Sequence, residues 1–165
     1  MKEKTSDNKI KSTFPYGLSV IRPAGVTIDV LLHDDLCLPR PVEGGDWVDL
    51  LTSKEYILEA GDFELLDLGV SIKLPEHLEA HLIVRSSTFK KYGIIQTNGM
   101  GIIDNSYCGD NDVWKLPVYA TRYVKIPAYT RLCQFRVIAK QPTLAFHVVD
   151  TLNSKDRGGF GSTGD

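Results

Sequence analysis

From Val26 onward, apolar and polar positions alternate in short runs that are broken at close intervals by glycine, proline, asparagine or aspartate. Val26-Thr27-Ile28-Asp29-Val30-Leu31-Leu32 opens the series; Phe63 to Val70, Glu79 to Val84, Val113 to Ala120 and Arg131 to Ala139 continue it. Short runs of this kind, with period-two alternation and β-branched residues, predict strands. The breakers Pro39, Pro41, Gly44-Gly45, Gly61-Asp62, Pro75, Asn98-Gly99, Gly109-Asp110, Pro127 and Pro142 predict the turns between them. Only two stretches could be helical. Thr52 to Tyr56 is too short to decide, whereas Ser86 to Tyr92 has Ser and Thr at a possible N-cap and two lysines near its end, which suits one short helix after a strand. The pattern therefore predicts an all-β barrel or sandwich with a single short helix.

Both chain ends depart from the pattern. Met1 to Ser12 is charged and polar, and a segment of that composition buries too little to stay ordered. Thr151 to Asp165 is glycine-rich with little that could pack. The expected organisation is an extension over 1–24, a β-barrel over 25–150 and a flexible arm over 151–165. An apolar share of 42% in 165 residues is enough for one domain with its own core. A net charge of −2, with both signs scattered, argues against nucleic acid or a membrane surface as the main partner, while leaving enough local arginine and lysine for one phosphate-bearing ligand. Cys37, Cys108 and Cys133 are odd in number and lack paired spacing, which predicts three reduced thiols in a cytoplasmic protein. No apolar run reaches the ~18–20 residues of a membrane helix, and the N-terminus lacks the apolar core of a signal peptide.

Four segments carry chemistry. Arg85-Ser86-Ser87 ends a strand and opens the short helix, so amides, hydroxyls and a guanidinium converge either on an anion or on a plain N-cap beside a surface arginine. Asn98-Gly99 predicts a hairpin, and Asp104 followed by Tyr107 sets a carboxylate near an aromatic plate, although an aspartate there also suits a turn. In Arg131-Leu132-Cys133-Gln134-Phe135, alternation puts Arg131, Cys133 and Phe135 on one face, and Leu132 and Gln134 on the other. Gln134 is then an edge residue or a ligand contact. The tail Arg157-Gly158-Gly159-Phe160-Gly161-Ser162-Thr163-Gly164 reads either as a linker or as a segment that wraps phosphates with amides and hydroxyls and stacks Phe160 on a base.

In order and spacing these segments resemble the motifs of the trimeric dUTP pyrophosphatase family. Arg85-Ser86-Ser87 is similar to the second motif, Asn98 through Gly109 to the third, Arg131 through Gln134 to the fourth and the glycine-rich tail to the fifth. For the first motif Asp29 and Asp49 compete; Asp49-Leu50 keeps the Asp-Leu pair and the shorter span to Arg85, 85 − 49 = 36 positions. The wording Arg-Ser-Ser-Thr-Phe-Lys and Gly-Asp-Asn-Asp-x-Trp is similar to enzymes of Gram-positive bacteria and their phages.

The resemblance implies a jelly-roll-like dUTPase barrel in a homotrimer with shared active sites, hydrolysing dUTP to dUMP and pyrophosphate. It implies that Asp104 orients the water and that Tyr107 packs under the deoxyribose. Asn98, Gly101 and Ile103 would belong to the uracil and sugar pocket, and Arg85, Ser86, Ser87 and Gln134 would hold phosphates. Mg²⁺ would ride on the triphosphate, with Asp49 reached through a water. Phe160, Gly161 and Ser162 would close over the substrate, with Arg157 at the γ-phosphate. The commoner tail has its arginine five positions before the phenylalanine, where this chain has Lys155. Two other readings stand beside this one: a dCTP deaminase of the same superfamily and a phage regulator with a dUTPase fold that binds partner proteins. The deaminases carry a glutamate about five residues past the glycine of the third motif; here that position is Trp114, and no glutamate follows Glu79.

Overall fold

A computed structural model describes residues 11–13, 19–21 and 25–158. Their strands are β1 (Lys11–Thr13), β2 (Ser19–Ile21), β3 (Asp29–Leu32), β4 (Arg40–Pro41), β5 (Val48–Leu51), β6 (Tyr56–Leu58), β7 (Phe63–Asp67), β8 (Val70–Lys73), β9 (Leu78–Val84), β10 (Ile94–Gln96), β11 (Gly101–Ile103), β12 (Lys115–Ala120), β13 (Val124–Ile126) and β14 (Arg131–Ala139). The helix α1 (Thr88–Tyr92) follows β9, and Asp35–Cys37 makes one 3-10 turn.

An antiparallel five-stranded sheet in the order β11-β9-β14-β5-β4 shares one core with a three-stranded sheet, β10-β12-β7, and β3-β8, β6-β13 and β1-β2 are separate pairs. Alternation makes the core. Leu78, Ala80 and Leu82 of β9 are buried while Glu79, His81 and Ile83 reach partly into solvent, and Leu116, Val118 and Ala120 of β12 are buried between more exposed neighbours. Trp114 is fully buried and meets Phe135 edge to face at 5.2 Å, an arrangement favoured by the ring quadrupoles.

Several boundaries differ from the sequence expectation. Phe63 to Val70 is two strands, because the chain turns at Gly69, whose φ is +68°. Asp67 Oδ1 accepts from Gly69 N at 2.7 Å, and a Cβ on Gly69 would stand 2.7 Å from Cys37 Sγ. Only glycine fits that turn. Of the run starting at Val26, Asp29–Leu32 pairs with β8. Thr52 to Tyr56 is not helical: Thr52 is buried and bonded to the Pro127–Thr130 loop, and Tyr56 starts β6. The segment read as an N-terminal extension contains the β1–β2 pair. After Ala139 the described chain has no regular element.

Candidate functional site

Sheet pairing gathers the first group of site residues. Asp49 on β5 lies opposite Gln134 on β14, and Gln134 lies opposite Ile83 on β9. Residues paired in this way share a face, and Arg85, two beyond Ile83, continues it. The expected placing of Arg131 beside Cys133 and Phe135 is wrong. The pairing of β14 with β5 slips between Arg131 and Cys133, so Arg131 sits opposite Leu51 while Cys133 sits opposite Leu50. This bulge takes up one residue and swings Arg131 onto the face of Asp49 and Gln134. Arg131 Nη1 donates to Asp49 Oδ2 at 3.4 Å, and Arg85 Nε lies 3.2 Å from Oδ1. Asp49 is 1% exposed. Its Oδ1 nonetheless has no aligned hydrogen bond, so charge, rather than a directed bond, holds Arg85 there.

Beyond Arg85 the chain turns into α1. The expected serine cap is absent: Ser87 stands at the helix start in right-handed backbone geometry and makes no side-chain cap bond. Thr88 does the anchoring, with its buried Oγ1 donating to Leu132 O at 2.7 Å. The Ser86 and Ser87 hydroxyls make no hydrogen bond to a described residue and remain available to a ligand.

The second group lies around β11. Asn98-Gly99 forms a turn, but not the hairpin expected from it: β10 pairs with β12 in one sheet and β11 with β9 in the other. The turn carries the chain between sheets, and its flanking strands never meet as partners. Gln96, 6% exposed, supplies the missing link. Its Oε1 accepts from Val84 N at 3.0 Å, and its Nε2 donates to Leu82 O at 3.1 Å and to Asn98 Oδ1 at 2.9 Å. Gly101 is buried, and a Cβ there would come within 3.3 Å of Leu82 Cβ. Ile103 packs on the core and stands opposite Ala80 of β9.

Asp104 follows, exposed at the end of β11. Its Oδ1 accepts from Ser106 N at 2.7 Å and from Ser106 Oγ. These two bonds, together with the Lys140 charge, hold the carboxyl below the usual aspartate range. Tyr107 is 42% exposed, and its hydroxyl donates to Val113 O at 3.3 Å. Cys108 next to it is partly exposed, whereas Cys37 and Cys133 are buried; burial pushes the Cys37 thiol up to about 11 and raises Cys133 as well. All three are free.

The two groups do not meet within one chain. Ile103, just before Asp104, pairs with Ala80 at one end of β9, and Arg85 is at the other end. Those positions are 85 − 80 = 5 residues apart, or about 16 Å at roughly 3.3 Å per residue. Arg157 and Lys155 are both exposed in the segment after β14. Phe160, Gly161 and Ser162 lie outside the described residues. A shallow cleft of about 230 Å³ lined by Asp29, Ser71, Lys73 and Cys108 flanks the Asp104 end without including it. Among the described residues no three His, Cys, Asp or Glu side chains gather as a metal site, and no helix is long and apolar enough to cross a membrane.

Sequence reasoning missed Gln96, Ser106 and the true side of Arg131. Gln96 carried a usable signal, as a lone amide ending an apolar strand two residues before Asn-Gly. Ser106 did too, since Asp-x-Ser favours a local side-chain turn. The bulge had none.

The class defined here is an all-β protein of antiparallel sheets with acid and arginine groups at opposite ends of one strand. The dUTPase family model matches residues 45–164, and the chain belongs to the dUTPase family. The match begins four residues before Asp49 and leaves Asp29 outside. The SPbeta prophage-derived deoxyuridine 5'-triphosphate nucleotidohydrolase of Bacillus subtilis is 50% identical over 123 residues, 74% of this chain and 87% of that protein. The Thermobifida fusca deoxyuridine 5'-triphosphate nucleotidohydrolase is 35% identical over 81% of this chain and 75% of its own. Among solved structures, the Streptococcus mutans dUTPase superposes with a TM-score of 0.64 at 21% identity, covering 72% of this chain and 98% of that one. The Staphylococcus bacteriophage 80alpha dUTPase with dUPNHPP gives 0.67 at 20% identity, covering 84% and 99%. The fold is that of the dUTPases, and the relatives include phage and Gram-positive proteins.

Proposed function

We propose that this chain is a dUTP diphosphatase, hydrolysing dUTP to dUMP and pyrophosphate, and that it works as a homotrimer whose sites are each shared between subunits. The observation that carries the shared site is the separation of Asp104 from Arg85. Water attack at the α-phosphorus needs the water-orienting carboxylate and the phosphate-holding groups around one phosphorus, and about 16 Å of strand keeps them apart. A neighbouring copy closes the gap by bringing its Arg85 end to this chain's Asp104 end. The segment after β14 supports the same reading: Phe146 and Val148 are 89% and 92% exposed, a disposition that suits contact with another subunit.

At the Asp104 end, the ionised carboxylate accepts from the attacking water and from the sugar hydroxyl, and Tyr107 packs under the deoxyribose where a 2′-hydroxyl would clash. Asn98 and backbone groups from Gly101 to Ile103 pair with uracil; a base with the wrong donor pattern leaves buried polar groups unpaired. At the other end Arg85, Ser86, Ser87 and Gln134 bind phosphate oxygens. Magnesium fits a role borne chiefly by substrate oxygens, since the ion keeps several waters and needs few protein ligands. Asp49 Oδ1, buried without a directed bond, is the carboxylate oxygen that could accept from a metal-bound water. Phe160, Gly161, Ser162 and Arg157 or Lys155 close the tail over the bound nucleotide. The reaction limits dUTP and supplies dUMP; three free thiols suit the reducing cytoplasm, and a net charge of −2 argues against nucleic acid as a partner.

The deaminase reading finds no support at position 114: Trp114 is fully buried against Phe135 and offers no acid or base. The test is direct. With dUTP and Mg²⁺ the protein releases pyrophosphate and dUMP. Ammonia release from dCTP, or no turnover of dUTP, overturns the proposal.

A further inference from the structure

The turn that carries Asp104 is held mostly by itself. Ser106 N and Oγ bond to Asp104, Tyr107 N donates to Asp104 O at 3.4 Å, Cys108 N donates to Ser106 O at 3.1 Å, and Tyr107 reaches only six residues on to Val113. Bonds of this kind fix the shape of a turn, but they do not fix where it stands relative to the sheet. Among the described residues one side-chain hydrogen bond ties Asp104–Tyr107 itself to a distant part of the chain: Lys140 Nζ donates to Asn105 Oδ1 at 2.9 Å across 35 positions of sequence, while Ser71 Oγ of β8 holds the loop only further on, at Asp110 O. Lys140 is itself placed by the sheet, as it directly follows β14 and its N–H donates to His77 O at 2.9 Å, extending the β14–β9 pairing by one step.

We infer that Lys140 is a positioning residue for hydrolysis, pinning the Asp104–Tyr107 turn to the end of β14 through Asn105. An exposed lysine pair contributes little to global stability, so its consequence is local: it sets where the Asp104 carboxylate stands. Its ammonium also adds to the field that keeps Asp104 ionised. The bond gives β14 two tasks, with Arg131 and Gln134 on the phosphate face at its start and the anchor for the acid turn just past its finish.

The inference rests on the dUTP diphosphatase reading, and its test separates the two. In the full-length protein, Lys140→Met should lower kcat for dUTP about tenfold, since small displacements of a positioned group are costly, while KM stays within about twofold. The melting temperature should hold, and Lys140→Arg, which keeps a donor and the charge, should restore most of kcat. Asn105→Ala should reproduce the loss, and the double variant should be no worse than either single one. Amide exchange at Asn105 to Tyr107 should quicken about tenfold in Lys140→Met with the rest of the barrel unchanged. Unchanged kcat and unchanged exchange in Lys140→Met overturn the inference, as does a loss of kcat that Lys140→Arg leaves in place. If the parent protein fails to hydrolyse dUTP, the diphosphatase reading falls, and the exchange experiment alone then decides whether Lys140 holds the turn.

Discussion

At one end of β9 a carboxylate that is 1% exposed, Asp49, stands between two guanidiniums brought from separate strands; at the other an open carboxylate, Asp104, is gripped by a serine two residues away. The Asp49 end is assembled by long-range sheet pairing and would lose its charge balance if any one strand shifted. The Asp104 end is a local turn that a peptide of that sequence could already favour, and it needs only to be set in place, by its strand β11 and by Lys140. Under the proposed function the difference follows from what each end would handle. A triphosphate demands several cations held against mutual repulsion, and a buried counter-charge does this. A sugar and a water demand one accessible acceptor of fixed orientation.

The strongest way to break the comparison is to disable one end in each of two proteins. Asp104→Asn removes the acceptor charge and should lower kcat at least about a thousandfold, while the subunits still assemble. Arg85→Ala should cost about a hundredfold in kcat/KM by removing a charged phosphate contact. If each site joins the acid end of one subunit to the arginine end of the next, refolding the two variants together at equal amounts makes about one site in four intact by random assortment in a closed ring. Activity in the mixture far above that of either variant is the expected result. A mixture no more active than its parts means that both ends act within one chain.

Asp49→Asn should act on the arginine end alone. The amide keeps the volume but leaves Arg85 and Arg131 facing one another without a counter-charge. Both arginines reach solvent, which softens the cost to about 2 kcal/mol, below that of a fully enclosed pair. Urea denaturation reads this directly. KM for dUTP should rise as well, with the affinity for deoxyuridine, which lacks phosphates, unchanged.

What could be read in the sequence divides along the same line. The Asp104 end was legible because its signals are local: Asn-Gly marks a turn, and Asp and Tyr stand three positions apart on it. Even there the flanking strands were assigned to each other, since a turn signal cannot say which sheet each strand joins. At the Asp49 end the residues were named from their motifs, but the burial of Asp49 and the side taken by Arg131 come from a β-bulge and from pairing across 82 positions. The resemblance supplied the order of motifs, and period-two alternation supplied β9 and β14 nearly to the residue. Gly69 shows the remaining difficulty: Phe63 to Val70 reads as one strand until Cys37, thirty-two positions earlier, is known to occupy the space of a Cβ.

Gln96→Ala sharpens the picture at the junction of the two sheets. It removes three hydrogen bonds and leaves Val84 N and Leu82 O without their side-chain partner, at a cost of about 1–2 kcal/mol. Because Asn98 loses its anchor, discrimination between dUTP and dCTP should weaken more than turnover of dUTP does. Equal losses for the two nucleotides would assign Gln96 to stability alone.

The smallest effect is expected from Ser106→Ala, and it bears on what keeps Asp104 charged. The hydroxyl and amide of Ser106 are the largest causes of its lowered pKa, with Lys140 contributing from β14. A carboxyl whose folded value lies below its unfolded one gives stability that is present above the unfolded value and disappears as pH falls through the folded value. In the parent protein the acid limb of kcat/KM should therefore fall below the ordinary aspartate range. Removing the hydroxyl takes away one of the bonds that favour the charged form, so the limb should move up toward that range while the plateau near neutral pH barely changes. An acid limb that stays in place in Ser106→Ala would mean that the group titrating in the pH profile is not Asp104, and the water-orienting role would pass to another carboxylate at the shared site.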